Sequence, residues 1–185
     1  MKRVLVCLLL GALGGCGSFA APHKDYFYRL PETASNTAFS ADQGEVVYVP
    51  PFVASGLHGE RALIYAHDDG TTLEQYTHHY WVDSPRLLLQ LAVAERLRIG
   101  GARRIVISPT IEAKYTVRGS IRKFERRGKE KGSADVSLEF QVTRADNDSP
   151  EFARAYQRSV ALPDDAMASC AAALGSRTGH RGKLF

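Results

Sequence analysis

The chain has 185 residues, with 24 Lys and Arg against 20 Asp and Glu, a formal charge of +4, and 44% hydrophobic residues. That length suits one domain with a sizeable core, and neither an internal repeat nor a long linker argues for two. The basic residues are scattered instead of forming one dense stripe, so nucleic acid is set aside as a partner.

Targeting comes first in chain order. Met1-Lys2-Arg3 is basic, Val4 to Leu13 is apolar apart from Gly11, and Leu13-Gly14-Gly15-Cys16 follows directly. This is the bacterial lipobox pattern, in which small residues let the signal peptidase reach the backbone and the Cys16 thiol takes a thioether-linked diacylglycerol. The apolar run is far shorter than the roughly 20 residues that span a bilayer. The competing reading is an ordinary cleaved signal with a chance cysteine, since such sites also use small residues. Residues 1–15 are therefore read as a lipoprotein signal peptide and 16–25, beginning at the lipidated Cys16, as a tether. Acyl chains contribute about 0.8 kcal/mol per buried methylene, so the three chains of a mature lipoprotein anchor durably. Lys2 and Arg3 leave with the signal and no acid does, so the charge falls from +4 to +2. Gly17, where an Asp favours inner-membrane retention, points to the periplasmic face of the outer membrane. Cys7 also leaves, so Cys170 stands alone without an intramolecular disulfide, and its Ala-rich setting predicts a buried small apolar residue.

The tether leads to a short aromatic strand, Tyr26 to Leu30, and then to a polar, turn-rich stretch from Pro31 to Gln43. Gly44 to Val49 reads as a strand ended by Pro50-Pro51, because proline cannot donate to a ladder. Ala62 to His67 and Thr72 to Trp81 are two further extended segments around an Asp68-Asp69-Gly70 turn. Asp83-Ser84-Pro85 starts the strongest helix, with Ser84 as cap and Pro85 at the first helical position. Leu87, Leu88, Leu91, Ala94 and Leu97 recur at helical steps and are expected in the core, with Arg86, Gln90, Glu95 and Arg98 on the other side. Gly100-Gly101 closes this helix.

Arg104 to Ser108 is a short strand, and three alternating segments follow. In the first, Tyr115, Val117, Gly119 and Ile121 share one face while Lys114, Thr116, Arg118 and Arg122 share the other. In the second, Val136, Leu138, Phe140 and Val142 alternate with Asp135, Ser137, Glu139 and Gln141, predicting one buried and one wet face. With Phe152 to Val160 they form an antiparallel meander. Asp164 to Leu174 suits a short last helix, and 175–185, glycine-rich and basic, a disordered tail. The expected architecture is a single α/β domain over 26–174, with a mixed sheet, an antiparallel meander and packed helices.

Signs of catalysis are sparse. His67, Asp68 and Asp69 with His78 and His79 are the one cluster with zinc-ligand chemistry, the basis of an alternative reading as a periplasmic metal-dependent enzyme. Adjacent histidines on an extended segment point to opposite faces, so no metal is assigned. No serine sits in a G-x-S-x-G elbow. Gly128 and Gly132, among Arg and Lys, lack the phosphate-loop signature and suit a solvated hairpin tip. No catalytic residue and no cofactor are implied. Tyr76, Tyr80 and Trp81 are candidates for an aromatic patch or for packing beside the long helix. Arg118 and Arg122, on the polar strand face, are candidates for a partner surface.

Several segments together carry a resemblance: the Cys16 lipobox, the strand ending Tyr28-Arg29-Leu30, Val46-Val47-Tyr48-Val49-Pro50, Tyr76 to Trp81 before Asp83-Ser84-Pro85, and Tyr115-Thr116-Val117-Arg118-Gly119-Ser120-Ile121. Their order and spacing over most of residues 26–162 resemble the ABC-type transport auxiliary lipoprotein family, the PqiC-like lipoproteins associated with MCE-type lipid transporters. The resemblance implies a fold like the N-terminal domain of TolB and a non-catalytic, lipid-anchored role beside MCE-domain and ABC transporter subunits, with a homo-oligomer compatible with that role. A general envelope tether is the plainer alternative. Family members usually continue into a longer amphipathic C-terminal helix, whereas this chain turns glycine-rich and basic after Leu174.

Overall fold

Residues 23–31, 45–99, 104–109, 111–128, 132–146 and 150–176 are described in a computed structural model. In chain order they form β1 (Tyr26–Tyr28), β2 (Val46–Tyr48), β3 (Val53–Ala54), a 3-10 turn (Gly56–Gly59), β4 (Ala62–Ala66), β5 (Leu73–Trp81), α1 (Pro85–Ile99), β6 (Arg104–Val106), β7 (Tyr115–Arg127), β8 (Ser133–Arg144), β9 (Pro150–Ala161) and α2 (Met167–Gly175). The mixed α/β architecture, the long helix after Ser84 and the meander of the last three strands match the sequence expectation.

The organising element is β7. Along one edge it meets three short parallel strands in turn: β2 at Tyr115 and Thr116, β3 at Ser120 and Ile121, and β4 at Arg126 and Arg127. Along the other edge it pairs antiparallel with β8, which pairs with β9. Beyond β2 lies β6, and beyond β4 lie β5 and then β1, so β1 and β9 are edge strands of one mixed sheet.

A bulge in β7 corrects simple alternation. Ile121 faces Leu138 but Lys123 faces Ser137, so Arg122 is the extra residue and the phase flips. Phe124 turns into the core at 2% exposure as a result. The core packs Phe52, Leu63, Trp81, Ile121, Phe124 and Ala134 against Leu89 of α1 and Cys170, Ala171 and Leu174 of α2. Gly119 is required there, since a Cβ would lie 2.2 Å from Cε1 of Phe52. A smaller cluster joins Val47, Val49 and Ile105 to Ala94 of α1.

Two sequence expectations fail on burial. In α1, Leu91 is 49% exposed while Gln90 is buried. Gln90 is held by the backbone: its Nε2 donates to the carbonyls of Val49 and Ile107 at 2.8 and 3.2 Å, tying the helix to the ends of β2 and β6. In β8, Asp135 and Ser137 are buried although they lie on the face expected to be wet. Asp135 stands opposite the buried Glu125 of β7 and Ser159 of β9, and its carboxylate accepts from the hydroxyls of Ser133 and Ser159 at 2.7 and 2.6 Å, which satisfies a buried acceptor. The C-terminal helix runs through Gly175, slightly beyond the expected start of the tail. Cys170 is buried as anticipated, and burial pushes its thiol up to about 11.

Candidate membrane-proximal and partner surfaces

Cys16, the lipidation candidate, lies outside the described residues, as do most of the tether, the 32–44 stretch and the tail from residue 177. The first described segment, from His23, leads into β1. This strand lies parallel on β5, with Tyr26, Phe27 and Tyr28 opposite His79, Tyr80 and Trp81.

The aromatic trio splits across this pair. Trp81 is 1% exposed and packs on Phe124 with ring centroids 5.2 Å apart, so it belongs to the core and not to a surface patch. Tyr76 is half-buried against the same core, and burial is the main cause that raises its hydroxyl pKa. Tyr80 alone turns to the outer side, 5.8 Å from Phe27. The reason is local. Ile64 pairs with Gln75 but Ala62 with Tyr80, so β5 bulges between them, with His78 in the left-handed region at φ 67°. The bulge resets the alternation, so Trp81 faces the same core as Tyr76 five residues earlier, and Tyr80, four residues after Tyr76, does not.

Phe27 and Tyr80 line a shallow groove of about 360 Å³ with Glu60, Arg61, Ala62 and Gln75. The Arg61 guanidinium lies 5.9 Å from the Phe27 ring centroid and donates to the carbonyls of Trp81 and Val82 at 3.3 and 3.2 Å. Tyr26 stacks on His79 at 5.2 Å and carries the Lys24 ammonium 5.6 Å from its centroid. Tyr26, Phe27 and Val82 remain 46%, 57% and 43% exposed, an uncommon concentration of large apolar side chains at one edge.

The histidines do not converge. His78 Nδ1 donates to the Asp25 carboxylate at 2.7 Å, His79 Nδ1 is 2.8 Å from the Tyr28 hydroxyl, and His67 Nε2 is 3.0 Å from a Glu74 oxygen. Burial first, and then neighbouring His78, lowers the His79 pKa. Asp69 is tied into its own turn by the amides of Thr71 and Thr72 and the Thr72 hydroxyl, which hold its carboxyl well below the usual range. Among the described residues, no group of three or more His, Cys, Asp or Glu is placed to share a metal ion.

Arg118 and Arg122 are both exposed on β7. Each already has a cross-strand partner: Arg118 Nη1 donates to Thr143 Oγ1 at 2.9 Å, and Arg122 Nη2 donates to Glu139 Oε2 at 2.8 Å. Arg118 is thus held by a neutral hydroxyl and Arg122 by a carboxylate, with both guanidinium groups at the exposed face.

Sequence reasoning missed two buried polar contacts. His58 Nε2 meets Glu125 Oε2 at 2.6 Å, both residues buried, which pins the 3-10 turn to β7. Arg126, 2% exposed, donates to the Asp165 carboxylate at 2.7 Å and its carbonyl at 2.9 Å, fixing the approach to α2. Three consecutive residues, Phe124 to Arg126, are buried at the centre of the sheet, and a charged sequence there carried no signal of it.

This fold and these surfaces have relatives. Residues 28–180 match the ABC-type transport auxiliary lipoprotein component model. The chain belongs to that family. Membership makes it an auxiliary, membrane-anchored envelope component of an ABC-type transport system, and the match runs six residues past Leu174. A DUF330 protein of Xanthomonas campestris has the same fold, with a TM-score of 0.69 at 16% identity over 81% of this chain and 86% of that one. An uncharacterized protein aligns at TM-score 0.65 and 13% identity, covering 83% of this chain and 90% of its own. No curated protein matches the chain in sequence.

Proposed function

We propose that this auxiliary lipoprotein is anchored through Cys16 at the periplasmic face of the outer membrane and docks the periplasmic part of an MCE-type lipid transporter there. The observation that carries the proposal is the family match over residues 28–180 combined with a lipobox cysteine only seven residues before the first described residue, His23. The role is positional. A membrane-held domain raises the effective concentration of a docked partner at the bilayer without any new chemistry, and a lipid delivered by the transporter then meets the membrane at a fixed place. The partner surface is the β7–β8 face bearing Arg118 and Arg122, whose guanidinium groups are held by Thr143 and Glu139. Such preorganised cations favour register and partner choice over raw affinity. Self-association of several copies around the transporter is compatible with this arrangement.

Crosslinking of the full-length protein in intact cells, with mass spectrometry of captured partners and of the Cys16 peptide, tests the proposal. Recovery of MCE-domain or ABC subunits with an acylated Cys16 is expected, and the R118E/R122E pair lowers that recovery at least tenfold. Equal recovery with the charge-reversed pair moves the docking face elsewhere. An acylated Cys16 with no transporter subunit leaves only a general envelope tether, and an unmodified Cys16 removes the anchor.

A further inference from the structure

We infer that the exposed β1 edge, formed by Tyr26, Phe27, Tyr80 and Val82, is a second membrane contact that seats the domain on the same bilayer that holds its anchor. The inference rests on acylation at Cys16, as proposed above. From Cys16 to His23 the chain advances seven residues, and at no more than about 3.6 Å each they reach roughly 25 Å. The first strand, ten residues after Cys16 and so within about 36 Å of it at full extension, is the described strand nearest the anchor along the chain.

What it presents there is suited to the boundary between headgroups and acyl chains. Aromatic rings concentrate in that layer because one end is apolar and the other tolerates water. Tyr26 and Phe27 are about half exposed on an edge strand and point to its two sides, with Tyr80 beside Phe27 and Val82 following the end of β5. Lys24 and Arg61 stand against the Tyr26 and Phe27 rings, a placement in which long basic side chains cover apolar surface while their heads remain at phosphate level. The nearby acids offset them: Asp25 takes the His78 imidazole, Glu60 lines the groove, and Asp83 follows Val82. The edge is near neutral in sum, so insertion of the rings, and not charge, dominates the contact.

The opposite edge provides an internal control. β9 is separated from β1 by β8, β7, β4 and β5, five strand spacings of about 4.8 Å, or roughly 24 Å. If the β1 edge is seated, β9 stands away from the lipid.

The test uses the full-length acylated protein in vesicles of phosphatidylethanolamine and phosphatidylglycerol, with a benzophenone-bearing aromatic residue replacing Phe27, Val82 or Gln157 in turn. Irradiation is expected to give phospholipid adducts at 27 and 82 at least tenfold above 157, where Gln157 is an exposed residue of β9. Yields at 27 hold within about twofold at ~1 M salt, where charges are screened beyond about 3 Å. Equal labelling at all three positions, labelling at none, or adducts from 27 to a second protein copy or another protein each overturn the inference, as does a tenfold fall in high salt. The mass of the Cys16 peptide separates the two readings. Absence of acyl chains ends the anchor, whereas acylated Cys16 without lipid adducts at 27 ends the β1 contact alone.

Discussion

Strands β7 and β9 are similar in length and in the regularity of their sequences, yet their environments are opposite. β7 has neighbours along both edges, receives parts of α1 and α2 on one face, and buries Gly119, Ile121, Phe124, Glu125 and Arg126. β9 pairs only with β8 and contains no fully buried residue, although Phe152, Tyr156 and Val160 are half-covered. Alternation marks which side chains share a face, but a face becomes core only when another element covers it. The contrast separates a buried centre from an accessible rim.

The largest expected effect sharpens that contrast. Phe124→Ala removes a ring packed on Trp81 and is predicted to cost about 3–5 kcal/mol in urea unfolding. Tyr156→Ala on β9, where the ring touches Phe140 at 5.6 Å, is predicted to cost about 1 kcal/mol. Comparable losses at the two sites would break the distinction between centre and rim.

Next comes Gly119→Ala. The added methyl drives into Phe52, and overpacking of this kind costs about 1–3 kcal/mol. The double variant with Phe52→Leu is expected to recover part of the loss, which a double-mutant cycle reads directly. Glu125→Ala strands His58 without its buried partner, at about 1–3 kcal/mol. An undiminished stability in that variant would mean the 3-10 turn is not held from β7.

The alkaline limb of stability reports on α2. Burial raises the Cys170 thiol from an ordinary 9.0 to about 11, so the folded state retains its proton where the unfolded state loses it. This contribution is fully present below about pH 9 and is lost as pH rises through about 11. Cys170→Ala is expected to flatten the decline in that window. Some slope persists, because burial also raises Tyr28 and Tyr76. A decline identical to that of the parent would show a thiol open to solvent.

The smallest effect belongs to Arg122→Ala. Its pair with Glu139 is about half exposed at the bulge, and solvent-accessible pairs contribute little to stability. The melting temperature is expected to stay unchanged, while transporter capture falls. Thermal melts beside crosslinking yields separate the two.

The amino-acid sequence by itself determined the helix start at Asp83-Ser84-Pro85, the turn after Ala66 and the meander, because each depends on local chemistry: the fixed φ of proline, glycine conformation and alternation. The family resemblance, built from the order of those motifs, carried over to the whole domain. Only the tertiary structure decided which parts of the pattern are covered. The bulge at Arg122 sends Phe124 inward, the bulge in β5 separates Tyr80 from Tyr76, and the carbonyls of Val49 and Ile107 make a buried place for Gln90. Residues distant in sequence meet there. His58 finds Glu125, and Arg126 finds Asp165, through contacts that no local spacing encodes. Periodicity is a property of one segment, whereas burial and pairing are properties of its neighbours.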